Sequence, residues 1–381
     1  MNSNKDNFSE VLIVGGGVIG LSIARELHRR GARRITVLER GKVGRESSYA
    51  AAGMLAPNAE TEKADDFTKF CAESLDLYNK FAEELFGETD VNIELDRSGT
   101  VYAAFTDHDS AEIRRRYDWQ KRAGLAVEFL SAEETRRAEP FVSPDVRESL
   151  FFPFDWQVEN RKLLHALEKF AELNRIKIVE NAEVKSLLTE NGKIGGVRTV
   201  DADFSADAVV LATGAWTSLI ENGGDIALPE IKPVRGQIIG FQTAKRLFER
   251  VIYSPRGYLV PRRDGRILIG ATVEDAGFDK NITAAGTEFL RAVAMEISPS
   301  LASLEIAETW AGLRPLAADG LPVLGAVAAA KNLFIATAHY RNGILLAPLT
   351  AKILAERIAE NKDSEYLRIF SPNRFKTAAA T

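Results

Sequence analysis

The sequence predicts an α/β fold: a Rossmann-like dinucleotide-binding domain with a discontinuous second domain built on an antiparallel sheet. Three observations carry that expectation. A glycine-rich turn, GGGVIG (15–20), falls between an apolar run and an amphipathic segment. An acid, Glu39, closes the next apolar run. Further on, residues 231–271 hold three β-rich runs, VRGQIIGFQ, VIYSPRGYLVPR and RILIGAT, the last two joined by the turn-like Arg263-Asp264-Gly265.

Taken in order, FSEVLIV (8–14) reads as a short buried strand. Ile19, Ile23, Ala24 and Leu27 then recur at helical spacing over 18–30, and Gly31 closes that helix. RITVLE (34–39) is the second strand, so the three elements form a βαβ unit with the crossover that parallel strands require. Phe67, Phe70, Leu75, Tyr78 and Phe81 predict a helix over 65–86. Residues 92–152 predict a strand at GTVYAAF, a polar helix at 109–123, and short segments broken by Pro140, Pro144 and Pro153. A helix over 160–173 precedes the strand IKIVE, a hairpin around Asn191-Gly192, and the buried strand DAVVLATG (207–214). The C-terminal part brings the strand NLFIATA and a helix over about 344–359.

Composition narrows the function classes. Lys and Arg total 49 against 54 Asp and Glu, a formal charge of -5, which gives no electrostatic reason to expect nucleic acid or an anionic membrane as partner. The run Arg114-Arg115-Arg116 reads as a solvated helix face. The polar N-terminus lacks the apolar core of a signal peptide, and LPVLGAVAAA (321–330) is too short for a membrane span, so a soluble cytoplasmic protein is expected. Cys71 is the single cysteine, which excludes an intramolecular disulfide and a cysteine-based zinc site. The four histidines (28, 108, 165, 339) show no metal spacing and no Ser/His/Asp arrangement is legible, so no metal is expected.

The candidate chemistry lies in the glycine turn and three later segments. Gly15 suits a tight turn, Gly17 lets the backbone approach a pyrophosphate, and Gly20 lets the helix pack on its strand. Glu39 is placed to accept hydrogen bonds from a ribose. FAD rather than NAD is favoured by ESSYAAAGMLAP (46–57), whose hydroxyls and small residues suit a flat ring and a diphosphate, and by VVLATGAW (209–216). IATAHYRNGILLAP (335–348) adds a helix N-terminus at Gly343, which suits the negative charge of a reduced flavin. In ETWAGLRPLAADGLPVLG (308–325), Arg314 stands among small apolar residues and needs an anion there. That anion is either a substrate carboxylate or an internal one such as Glu308 or Asp319.

GGGVIG, ESSYAAAGMLAP, ATGAW, WAGLRP and HYRNGILLAP occur in this order in the FAD-dependent D-amino-acid oxidase superfamily, and from about residue 8 to 370 the sequence resembles its glycine oxidase branch. The resemblance implies an FAD-binding domain of residues 1–88, 155–231 and 316–381 and a substrate-binding domain of 89–154 and 232–315. It implies that Val18, Ile19, Glu39 and Arg40 meet the pyrophosphate and ribose of FAD. Ser47, Ser48, Ala52, Gly53 and Met54 would contact diphosphate and isoalloxazine, and Val184 the adenine. His339, Tyr340, Arg341, Asn342, Gly343, Ile344 and Leu345 would wrap the pyrimidine end of the flavin. Arg314 would hold a substrate carboxylate with Tyr258 beside it and Arg341 close by, and Met54 would limit the pocket.

The implied reaction is oxidative deamination of glycine and other small amines or D-amino acids to an imine and then a 2-oxo acid, with ammonia and hydrogen peroxide. The imine of glycine would serve thiamine thiazole synthesis. The alternative is a dehydrogenase of D-amino acids or sarcosine passing electrons to an acceptor other than oxygen. Relatives of this branch are homotetramers. Two departures stand out: Ser254 and Pro255 replace histidine or other polar residues at the rim. Cys71 is also far from where covalently flavinylated relatives carry their cysteine, so FAD is expected to be non-covalent.

Overall fold

The computed structural model of the protein describes residues 7–190, 192–221, 226–330 and 332–375. At its centre β1 (Phe8–Val14) pairs in parallel with β2 (Ile35–Leu38) on one side and with Asp203–Leu211 on the other. Lys177–Val179 extends the sheet beyond β2, and Leu333–Thr337 extends it beyond 203–211, again in parallel. The second half of β1, Val11–Val14, is apolar without alternation because both its faces are covered. Val11 and Ile13 join a cluster with α1 (Val18–Arg29) and the helices Asn160–Leu173 and Gly343–Glu360, while Leu12 and Val14 join one beneath the antiparallel pair 184–190 and 193–199. That pair is the expected hairpin; Asn191 lies outside the described residues.

The second sheet has eight strands, in the order 306–317, 231–242, 266–270, 257–261, 251–254, 100–104, 148–152 and 128–131. Every neighbouring pair is antiparallel except 251–254 with 100–104. The strands at 128–131, 148–152 and 306–317 add to those the sequence predicts. Ile306–Ala317 pairs with Ile231–Gln242 along nearly its whole length, and it runs across the expected 315/316 division of the chain.

The helix expected over 65–86 divides into Asp66–Asp76 and Tyr78–Thr89. It braces the helix Gly343–Glu360 at a weak point. Pro348 supplies no N–H to the carbonyl of Ile344, four residues back. The buried hydroxyl of Tyr78 donates to that carbonyl instead, and Ser74 Oγ donates to the carbonyl of Leu345 at 2.7 Å. A proline inside a buried helix is thus satisfied from a neighbouring helix.

Candidate active site

The carboxyl ends of the parallel strands open into an elongated cleft bounded on its far side by the second sheet. At the glycine turn, Gly15 adopts φ +109°, and a Cβ there would lie 2.3 Å from the carbonyl of Ala212. A Cβ on Gly20 would lie 1.9 Å from the carbonyl of Gly15, so α1 starts tight against the turn. Gly17, at the N-cap of α1, has no side chain to cap it; Ser48 Oγ accepts from the N–H of Val18 at 3.1 Å. Glu39 accepts from the N–H groups of Gly16 (2.8 Å) and Gly41 (3.1 Å), which fixes its carboxylate at the end of β2. Arg40 lies over the Trp216 ring at 3.8 Å and pairs with Glu46 at 2.7 Å.

Of the residues singled out in the sequence, Gly15, Gly17, Val18, Ile19, Glu39, Arg40, Ser47, Ser48, Ala52, Gly53, Met54 and Val184 line this one cleft. Tyr258, Arg314, His339, Tyr340, Arg341, Asn342, Gly343 and Ile344 line it too. Two do not. Gly20 packs under the turn, and Leu345 is fully buried in the core behind the helix. Ser254 and Pro255 also lie off the lining: Ser254 is buried, and Pro255 is exposed in the turn between two strands.

The segment between Ser47 and Met54 is held from behind. Gly53 adopts φ +71°, with no room for a Cβ against the carbonyl of Val158 (2.1 Å). Arg262 is fully buried and donates to the carbonyls of Ala52 (2.8 Å) and Val158 (2.8 Å) and to Asn160 Oδ1 (2.9 Å). Asn160 Nδ2 donates in turn to the carbonyls of Ser48 (2.9 Å) and Tyr49 (3.1 Å). Burial pushes the Arg262 guanidinium down to about 10.

Sequence reasoning missed Arg262 and Asn160. Arg262 precedes an exposed turn arginine, and nothing in the local pattern separates the two.

Two further arginines, Arg314 and Arg341, line the cleft around Tyr258. Arg314 donates through Nη1 to the carbonyl of Thr272 at 3.0 Å, and a Cβ on Gly236 would lie 2.2 Å from its Nη2. The internal partners considered for it are engaged elsewhere: Glu308 takes both Nη atoms of Arg161 (2.8 and 3.1 Å), and Asp319 pairs with Arg374 (2.7 Å). Among the described residues no carboxylate pairs with Arg314. Tyr258 lies beside it; burial raises its pKa, and Arg314 and Arg341 pull the other way.

Arg341 differs, for it does have an internal partner. Its Nε lies 3.8 Å from Glu60, and its Nη2 donates at 3.2 Å to Tyr253 Oη, which itself donates to Glu60. Glu60 raises the Arg341 pKa further, before Tyr253. Glu60 also lines the cleft and was not singled out in the sequence. His339 is buried with Nε2 3.1 Å from Thr350 Oγ1, and burial pushes its pKa down to about 3. The imidazole is therefore neutral, and a weak base, at neutral pH. The loop that carries it has two left-handed non-glycine residues, Ala338 (φ +57°) and Tyr340 (φ +46°), strain of the kind that collects at functional loops.

A glycine turn at a helix N-terminus, a fixed carboxylate closing β2 and a wall of small residues together suit a dinucleotide cofactor. The chain belongs to the FAD dependent oxidoreductase family (DAO), whose description matches residues 10–357. It is 32% identical over 368 residues to the glycine oxidase of Geobacillus kaustophilus, covering 96% of this chain and 97% of that one. The crystal structure of that enzyme superposes with a TM-score of 0.90 over 97% of this chain and 99% of that one. The bifunctional protein ThiO/ThiG of Trichormus variabilis is 36% identical over 98% of this chain, which spans 56% of that longer protein. An iminodiacetate oxidase from Chelativorans sp. has a TM-score of 0.83 at 27% identity, covering 95% of this chain and 98% of that one.

The cofactor is therefore FAD, and the donor set fits it: a glycine turn without side chains, an N-terminus of α1 free of acidic residues, and a second one at Gly343. The single thiol, Cys71, is buried in the core and does not line the cleft, so FAD is held non-covalently.

Proposed function

We propose that the protein oxidises glycine and other small amino acids, with Arg314 as the carboxylate anchor. The observation that carries this reading is a guanidinium, beside Tyr258 in the cleft that Ala52–Met54 also lines, that pairs with no carboxylate among the described residues. Thr272 fixes the plane of the fork through Nη1, leaving Nη2 and Nε to meet a substrate carboxylate in charge-assisted hydrogen bonds. Tyr258, kept a neutral phenol by burial, donates a further one. Bound FAD supplies the two-electron oxidant. The chain contributes orientation, a dry wall and fixed positive charge.

No side chain is needed as base. The amine binds already unprotonated, and turnover rises with pH toward its own pKa; buried His339, its Nε2 at 3.1 Å from Thr350 Oγ1, is too weak a base to take its proton. The products are an imine, hydrolysed to 2-oxo acid and ammonia, and hydrogen peroxide when oxygen is the acceptor. The names of the relatives support a role for the imine in thiamine thiazole formation. A cytoplasmic homotetramer, with FAD-binding residues 1–88, 155–231 and 316–381 and substrate-binding residues 89–154 and 232–315, completes the proposal.

Oxygen uptake by the purified holoenzyme with glycine, sarcosine, D-alanine and D-proline tests it. Peroxide from glycine, at a rate that climbs between neutral and mildly alkaline pH, is expected. An amino acid that bleaches the flavin without consuming oxygen points to the dehydrogenase alternative. A pH-independent rate contradicts the neutral-amine step.

A further inference from the structure

We infer that Glu60 limits the substrate to a single carboxylate by occupying Arg341. The inference rests on the reading of Arg314 as the carboxylate anchor and concerns what the neighbouring arginine does. Two guanidiniums line the cleft around Tyr258, and they are treated differently. Among the described residues Arg314 pairs with no carboxylate, whereas Arg341 pairs with Glu60, with Tyr253 Oη bridging the two. The remaining charged groups of the lining are paired or held elsewhere: Glu39 at the glycine turn, Arg40 with Glu46, and Lys185 with Glu183.

Formal charge around Tyr258 is therefore two arginines and one carboxylate, a net of +1. One substrate carboxylate brings it to zero. A second would have to approach Glu60, a like charge in a partly buried site, or displace it from Arg341. Both are costly, because a partly buried charge is screened less than one in open water. Specificity of this kind comes from an unfavourable contact for the wrong ligand.

The position of Glu60 is itself built. The fully buried carboxylate of Asp155 accepts from the N–H groups of Asn58 (3.1 Å) and Ala59 (2.7 Å) and from Asn58 Nδ2 (2.7 Å). The backbone immediately before Glu60 is thus anchored, and Tyr253, packed between Tyr102 (5.7 Å) and Tyr258 (5.6 Å), meets it from the second sheet. A dicarboxylate is a realistic competitor, since one protein of similar fold is named for iminodiacetate.

The test is calorimetric titration of the holoenzyme with two unreactive probes, glycolate (one carboxylate) and diglycolate (two). The readout is the ratio of their dissociation constants. In the parent protein diglycolate is expected to bind at least tenfold more weakly than glycolate. Glu60→Gln, and Glu60→Ala as a second route, should lower that ratio at least tenfold; Glu60→Asp, which keeps the charge, should leave it near the parent value. Adding Arg341→Met to Glu60→Gln should abolish the gain.

An unchanged ratio in both Glu60→Gln and Glu60→Ala overturns the inference while leaving the Arg314 site standing, provided glycolate binds and glycine is oxidised. If glycolate does not bind the parent protein at all, both readings fall together.

Discussion

His339 is 4% exposed, with its Nε2 held by Thr350, and burial lowers its pKa to about 3. The unfolded chain takes up that proton near pH 6.5, so between pH 6.5 and 3 unfolding binds a proton that the folded state refuses. Stability is unaffected by this group above pH 6.5 and falls as pH drops below it, by up to about 1.4 kcal/mol per unit. Urea unfolding of the holoenzyme at pH 7.5 and 5.5 should show a loss about 1.4 kcal/mol larger in the parent than in His339→Asn. Equal losses would mean that the imidazole charges freely in the folded protein.

Single residues such as this were unevenly legible. Arg314 was conspicuous because small apolar neighbours left it without an anion. Glu60 and Arg262 were not, because one follows a proline-bearing segment and the other precedes a turn, contexts in which charged residues are ordinarily solvated. Only the folded chain brings Tyr253 and Arg341 to the first and Ala52 and Asn160 to the second.

Among elements, the βαβ start was legible because each signal agreed: an apolar strand, a glycine turn, a helical period and an acid closing the next strand. The strand Ile306–Ala317 was not. WAGLRPLA is small and proline-bearing, with none of the β-branched alternation that marks a strand. Its pairing explains the composition. Val234 lies opposite Arg314 and Gly236 opposite Gly312, so the guanidinium lies across Gly236. A Cβ on Gly312 would lie 2.6 Å from Ala50 Cβ, so that glycine admits the short helix Ser47–Ala50.

The function of the pair follows from these contacts. Gly236→Ala, whose backbone tolerates alanine, should push the Arg314 fork aside, raising the KM for glycine at least tenfold while leaving the FAD spectrum as in the parent. Steady-state kinetics would read it. An unchanged KM would remove Arg314 from the substrate's path.

For the whole molecule, two sheets meet across a cleft in which one wall suits the cofactor and the other bears Tyr258 and Arg314. The class of fold was legible from the alternation of parallel and antiparallel signals. The way eight strands from residues 100–317 assemble into one sheet was not, since sequence patterns carry no information on which distant strands pair. No described helix is long and apolar enough to cross a membrane, and no group of His, Cys, Asp and Glu among the described residues is placed to hold a metal.

The central claim is that Arg314 receives the substrate carboxylate within reach of the flavin. Anaerobic titration of the flavin absorbance with glycine, in the parent and in Arg314→Met, tests it most directly. The account predicts that glycine bleaches the parent and that the variant, retaining FAD, requires at least a hundredfold more glycine for the same bleaching. Equal glycine requirements in the two proteins would contradict it.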